Sequence, residues 1–148
     1  MTSEVSFEIG DVEGRADVRL TPVVDGVSLV ALVGAFEAAA GFDVAGGYDG
    51  LVLDQVRWFD LEEHLVGRGP LGAQGAAALL GCDCGELGCW PLEAQITVAD
   101  GVVVWDGFRQ PHRPGRDYSG FGPFAFDEAA YRSAVARAAA AVAVTPGS

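Results

Sequence analysis

Residues 92–105, LEAQITVADGVVVW, constrain the fold more than any other stretch of the chain. Apolar and polar residues alternate on both sides of Asp100-Gly101. That pair suits a two-residue type I′ turn, whose central positions both need positive φ. A turn centred there sets Val98 opposite Val103 and Ile96 opposite Trp105. Cross-strand partners share a face, so these four side chains belong to the core. Glu93, Gln95 and Thr97 take the opposite, more polar face. A lone hairpin is marginal in water, so further strands or helices must cover its apolar side.

The remaining segments supply them. VSFEI (5–9) and ADVRL (16–20) alternate around a turn-rich GDVEGR, which predicts a second hairpin with Val5, Phe7, Ile9, Val18 and Leu20 facing inward. In SLVALVGAFEAAAG, Leu29, Leu32, Val33 and Phe36 fall on one helical stripe, with Ser28 as N-cap and Gly41 as the left-handed stop. Residues 41–50 read as loop and LVLDQVRWF (51–59) as a strand. DLEEHLVG reads as a short helix, capped by Asp60 and ended by Gly67. Residues 73–81 fit strand or helix; AAALLGC (76–82) is taken as a strand because the next segment needs a pairing partner. GFRQPHRPGRDYSGFGPF (107–124) reads as a long ordered loop. Asp127 caps a closing helix in which Tyr131, Val135, Ala138 and Val142 make a narrow buried stripe and Glu128 pairs with Arg132 at i, i+4. Residues 144–148 form a frayed tail. The expected fold is one α+β domain over residues 1–148: a mainly antiparallel sheet of hairpins with two principal helices packed on it.

Composition narrows the function. Half of the 148 residues are hydrophobic, which excludes wholesale disorder. The formal net charge of −12 repels nucleic acid and anionic membrane surfaces and suits a basic protein partner. All nine basic residues are Arg. Without lysine there is no P-loop lysine and no Schiff-base chemistry. The start of the chain has neither a basic n-region nor an apolar h-region, and no apolar stretch approaches membrane-spanning length, so a cytoplasmic protein is expected. Its cysteines are then reduced thiols, metal ligands or a redox pair.

All three cysteines lie in CDCGELGC: Cys82, Cys84 and Cys89. Gly85 and Gly88 suggest a four-residue hairpin loop that sets Cys84 opposite Cys89, with Cys82 two residues back on the same face. Strand parity then places the thiols on the polar face with Glu93, unless a bulge near Pro91 resets it. Three readings stay open. The cysteines are small residues packing a tight turn. They bind zinc with a fourth ligand from His112, His64 or a carboxylate. Or Cys84 and Cys89 form a reversible disulfide attacked by Cys82, although Asp83 and Glu86 would raise the thiol pKa values.

This motif carries a resemblance. LLGCDCGELGCWPL, followed by VVVWDGFRQPHR and GPFAFD…Y, resembles a family of small bacterial proteins that share a C-x-C-G-x-x-G-C turn leading into a hairpin. The similarity spans residues 79–131. No activity is established for that family, so the resemblance implies a recurring pattern and no mechanism.

Other candidates are weaker. Gly67, Gly69 and Gly72 match G-x-G-x-x-G but lack the preceding strand and following helix of a dinucleotide site. Arg109, Arg113 and Arg116 surround His112 in the one basic cluster; they bind an anion or pair with the abundant carboxylates. His64 reads as a surface residue near helix-end carbonyls. Trp90, beside the cysteine turn, could line a partner surface. No catalytic nucleophile-base motif is present. The sequence therefore points to a non-enzymatic binding module. Its cysteine turn is structural or zinc-binding, with a thiol redox protein and an acidic inhibitor of a basic partner as alternatives.

Overall fold

A computed structural model describes residues 2–11, 18–42, 45–57, 60–68, 75–82 and 91–145. The tip of the first hairpin, Trp58, the glycine-rich connector and residues 83–90 of the cysteine turn lie outside them.

The architecture is α+β with mainly antiparallel sheets. One sheet holds β1 (Val5–Asp11), β2 (Val18–Val24), β3 (Val27–Ser28) and β5 (Leu51–Val52), with β2 at its centre. The other has the order β4-β6-β7-β8-β9, with β4 at Tyr48–Asp49, β6 at Ala76–Cys82, β7 at Leu92–Ala99, β8 at Val102–Arg109 and β9 at Phe124–Asp127. Two links join the sheets. Ser3 bridges Phe126 in parallel, and the chain passes from β4 to β5 through Gly50. Pairing thus runs from β4 through β9 to β1, β2 and β5, and returns to β4 along the chain.

The central hairpin forms as its turn chemistry dictates. Asp100 and Gly101 take φ of 54° and 76°, Val98 pairs with Val103, and Ile96 pairs with Trp105. Asp25-Gly26 repeats the device between β2 and β3. The first hairpin forms as well, with Ile9 opposite Leu20. Leu20 is buried, whereas Val5, Phe7, Ile9 and Val18 are half-buried against the core.

Two helices dominate. In α1 (Leu29–Ala40), the Ser28 hydroxyl accepts from Val30 N, and Gly41 closes the helix with φ 77°. In α4 (Glu128–Val144), the Asp127 carboxylate accepts from Ala130 N, and Tyr131, Val135, Ala138 and Val142 are buried as the spacing predicts. Arg132 Nε donates to Glu128 Oε2 at 2.8 Å. The short helix α3 (Leu61–His64) has Asp60 as cap, and Gly67 beyond it has φ 82°. The structure supports Ala76–Cys82 as a strand, buried along its whole length.

Four expectations need correction. Residues 41–50 are not loop throughout, because Tyr48–Asp49 pairs with β6 as β4. Residues 51–59 are not one strand: two strand residues lead into the single-turn helix α2 (Leu53–Val56). Leu53 and Val56 are buried three apart, the spacing of a helical turn, and the apolar richness of the segment masks that periodicity. The stretch after Arg109 is not loop throughout, because Phe124–Asp127 pairs with β8 as β9. Finally, His64 is fully buried, not at the surface.

Candidate functional site

The polar residues of greatest interest gather around β4, where Tyr48 pairs with Cys82 at the end of β6. Helix α1 places Glu37 at i+4 from Val33 and i+8 from Leu29. It therefore shares their buried stripe and is 0 % exposed. A carboxylate there must be partnered. Glu37 Oε1 accepts from Gly46 N at 2.7 Å. Its Oε2 accepts from Arg116 Nη1 at 3.0 Å and from the Tyr118 hydroxyl. The Tyr118 proton is thereby committed, so the Tyr48 hydroxyl donates to Tyr118 Oη at 2.9 Å.

The electrostatics follow from this wiring. Burial and the Glu37 hydrogen bond push the Tyr118 hydroxyl above its ordinary pKa. Burial and the Tyr118 bond push Tyr48 far up as well. Both remain neutral donors. Burial alone would lower Arg116, but its interactions with Tyr118 and Glu37 hold it above its usual value. The Arg116 guanidinium also sits 5.1 Å from the centre of the Phe42 ring. Phe36, Phe42 and Phe121 pack around this end, with ring centroids 5.4–6.2 Å apart.

A second buried cation pins the same region. Arg19, 2 % exposed, extends from β2 and donates from Nη1 to Cys82 O at 2.7 Å. The same nitrogen lies 3.5 Å from Gly50 O and 3.9 Å from Asp49 Oδ2. The strand end that leads into the cysteine turn is thus tied to β2 and to the β4–β5 link.

The predicted site residues divide as follows. Cys82 is 8 % exposed. It does not take the polar face expected from a regular ladder. The β6–β7 register shifts between Ala78 and Leu80, after which Leu80 pairs with Leu92. Two residues on, Cys82 belongs to the Leu92 side. Strands β6 and β7 are antiparallel, so the chain reverses between Cys82 and Leu92. Cys84, Cys89 and Trp90 lie outside the described residues.

His112 is exposed, and its backbone N donates to Gln110 Oε1 at 2.8 Å. Among the described residues its imidazole has no partner. Arg109 pairs with Glu93 at 2.9 Å on the surface. Arg113 is exposed. Arg109 and Arg116 therefore behave as the carboxylate-paired reading expects. Among the described residues no group of three or more His, Cys, Asp or Glu side chains is assembled to hold a metal.

His64 is not at the surface: its Nε2 lies 2.8 Å from Ala78 O. A carbonyl only accepts, so Nε2 carries the proton. Burial lowers its pKa below the ordinary value.

Sequence reasoning overlooked Arg19, Glu37, Tyr48 and Tyr118. The one available signal was Glu37, a charged residue exactly one turn beyond Val33 on an otherwise apolar stripe. No protein-family model, curated protein or solved structure matches the chain.

Proposed function

We propose that the chain is an acidic binding module, not an enzyme, and that its working end is where Cys82, β4 and the 110–121 loop meet. The observation that carries this reading is the continuous path from Cys82 through its strand partner Tyr48 to Tyr118, Glu37 and Arg116. Two segments singled out on different grounds, the cysteine motif and the arginine-rich loop, share one buried support. The tyrosine, carboxylate and guanidinium groups in that path satisfy one another, which is the behaviour of a scaffold.

In this reading Cys82, Cys84 and Cys89 fix the turn, with zinc on the three thiolates and His112 as the fourth ligand. Cys3His is an accepted structural set, and the exposed imidazole of His112 is available for it. Arg109, Arg113 and Trp90 are the residues proposed to meet a partner. The partner is a basic protein, matched to the net charge of −12. The burial of Cys82 disfavours it as an attacking thiol and so weighs against the redox alternative.

Elemental analysis tests the zinc assignment. About one zinc per chain is expected, by the stoichiometry of a single four-ligand site. It should be lost on chelation and in Cys84→Ser. A metal-free protein that stays fully folded after chelator treatment would leave the turn purely structural and remove zinc from the account.

A further inference from the structure

The guanidinium that neutralises Glu37 reaches it from an otherwise exposed stretch. From Pro111 to Asp117 every residue is exposed except Arg116, whose side chain is 10 % exposed. The stretch joins no strand or helix. Its backbone hydrogen bonds among the described residues are local: Arg113 N donates to Gln110 O, and Arg116 N donates to Arg113 O. One side chain thus dips from an outer loop into a buried acceptor.

The core holds the rest of that slot in place. Glu37 belongs to the buried stripe of α1, and Gly46 N and the Tyr118 hydroxyl also donate to its oxygens. Tyr118 is 2 % exposed, and its ring stacks on Phe36 with centroids 5.9 Å apart. Phe42 stands edge-on to Tyr118 at 5.7 Å and lies under the Arg116 guanidinium. Phe36 and Phe42 are half-buried, so this aromatic wall reaches the surface. A buried carboxylate beside aromatic faces is the environment that suits a planar guanidinium. It cannot stand empty cheaply, because a lone buried carboxylate is costly.

We propose that this slot recognises an arginine of the basic partner, and that Arg116 fills it in the free protein as a built-in competitor. The proposal rests on the basic-partner reading above and deepens it by naming the partner group. Exchanging one guanidinium for another leaves Glu37 compensated and Tyr118 bonded, so only the exposed stretch around Arg116 has to move. Lysine is a poor substitute, since an ammonium has no plane to lay on Phe42 and is more strongly hydrated.

The test titrates full-length Arg116→Ala, which leaves the slot unfilled, with end-blocked Gly-Arg-Gly, Gly-Lys-Gly and Gly-citrulline-Gly. Binding is followed at the Gly46 amide resonance, whose N–H bonds the same carboxylate. Saturable binding of the arginine peptide is expected, at least about tenfold tighter than that of the other two. The wild type should bind it at least about tenfold more weakly than the variant, because only molecules with Arg116 displaced are competent. If Arg116→Ala is poorly folded, the same peptides become a rescue assay. The arginine peptide alone should then raise the variant's melting temperature and leave the wild type unchanged. Equal binding of the arginine and lysine peptides, or equal binding by variant and wild type, would overturn the slot while leaving a charge-driven basic partner standing. No response of the variant to the arginine peptide in either measurement would overturn it as well.

Discussion

Glu37 shows how a single residue can organise a site that its surroundings hide. It sits on the apolar stripe of α1, yet its two oxygens receive three donors from segments 9, 79 and 81 residues away. Removing one partner of a buried ion pair typically costs 3–5 kcal/mol, because the other charge stays behind. Glu37→Gln keeps the shape and removes the charge beside Arg116, so it should lower the unfolding free energy by about 3 kcal/mol in urea titration. His64 gives a second test, through pH. Its folded pKa lies below the ordinary 6.5. The unfolded chain therefore binds the proton first, and the stability this histidine contributes is complete above pH 6.5 and falls as pH drops toward the folded value. The melting temperature should fall between pH 7.5 and pH 5, and His64→Gln, which retains a donor toward Ala78 O, should flatten that slope. The burial of His64 was not legible in the sequence, and that of Glu37 only as a charged residue one turn beyond Val33 on an apolar stripe. The Asp60 cap was legible, since a cap is a local feature, whereas burial of Glu37 and His64 depends on partners far along the chain.

At the scale of elements, local chemistry carried the reading. The Asp100-Gly101 turn, the caps at Ser28, Asp60 and Asp127, and the stripe of α4 each follow from residues within a few positions. The short elements β4, α2 and β9 escaped because they are shorter than the period that would reveal them, whereas α3, equally short, was marked by its cap. Their position depends on one close approach. A Cβ built on Gly50 would lie 2.7 Å from Leu20 O and 2.3 Å from Thr21 Oγ1, so only glycine lets the β4–β5 link pass this close to β2. Gly50→Ala should destabilise by about 1–3 kcal/mol, the usual range for overpacking, as read from the urea midpoint. An unchanged midpoint would mean that β2 yields at no cost. The β6 bulge belongs to the same class. No residue in AAALLGC announces it, yet it decides which face Cys82 takes.

Across the whole molecule, two sheets linked at Ser3–Phe126 and at Gly50 enclose one core, and polar networks tie its ends. The fold class and the main helices were readable from periodicity. The candidate site was readable only in part: the cysteine motif and Arg116 stood out, but their connection runs through Glu37, marked only by its place on an apolar stripe, and through Tyr48 and Tyr118, which the sequence leaves unmarked. The central claim is that this connection makes the cysteine end and the arginine loop a single unit. Hydrogen exchange on Glu37→Gln tests it most directly. Protection should fall together in Tyr48–Asp49, at Cys82 and across residues 113–121, while the β7–β8 turn and the first half of α4 keep theirs. Loss confined to the arginine loop, with Tyr48 and Cys82 as protected as before, would contradict the account.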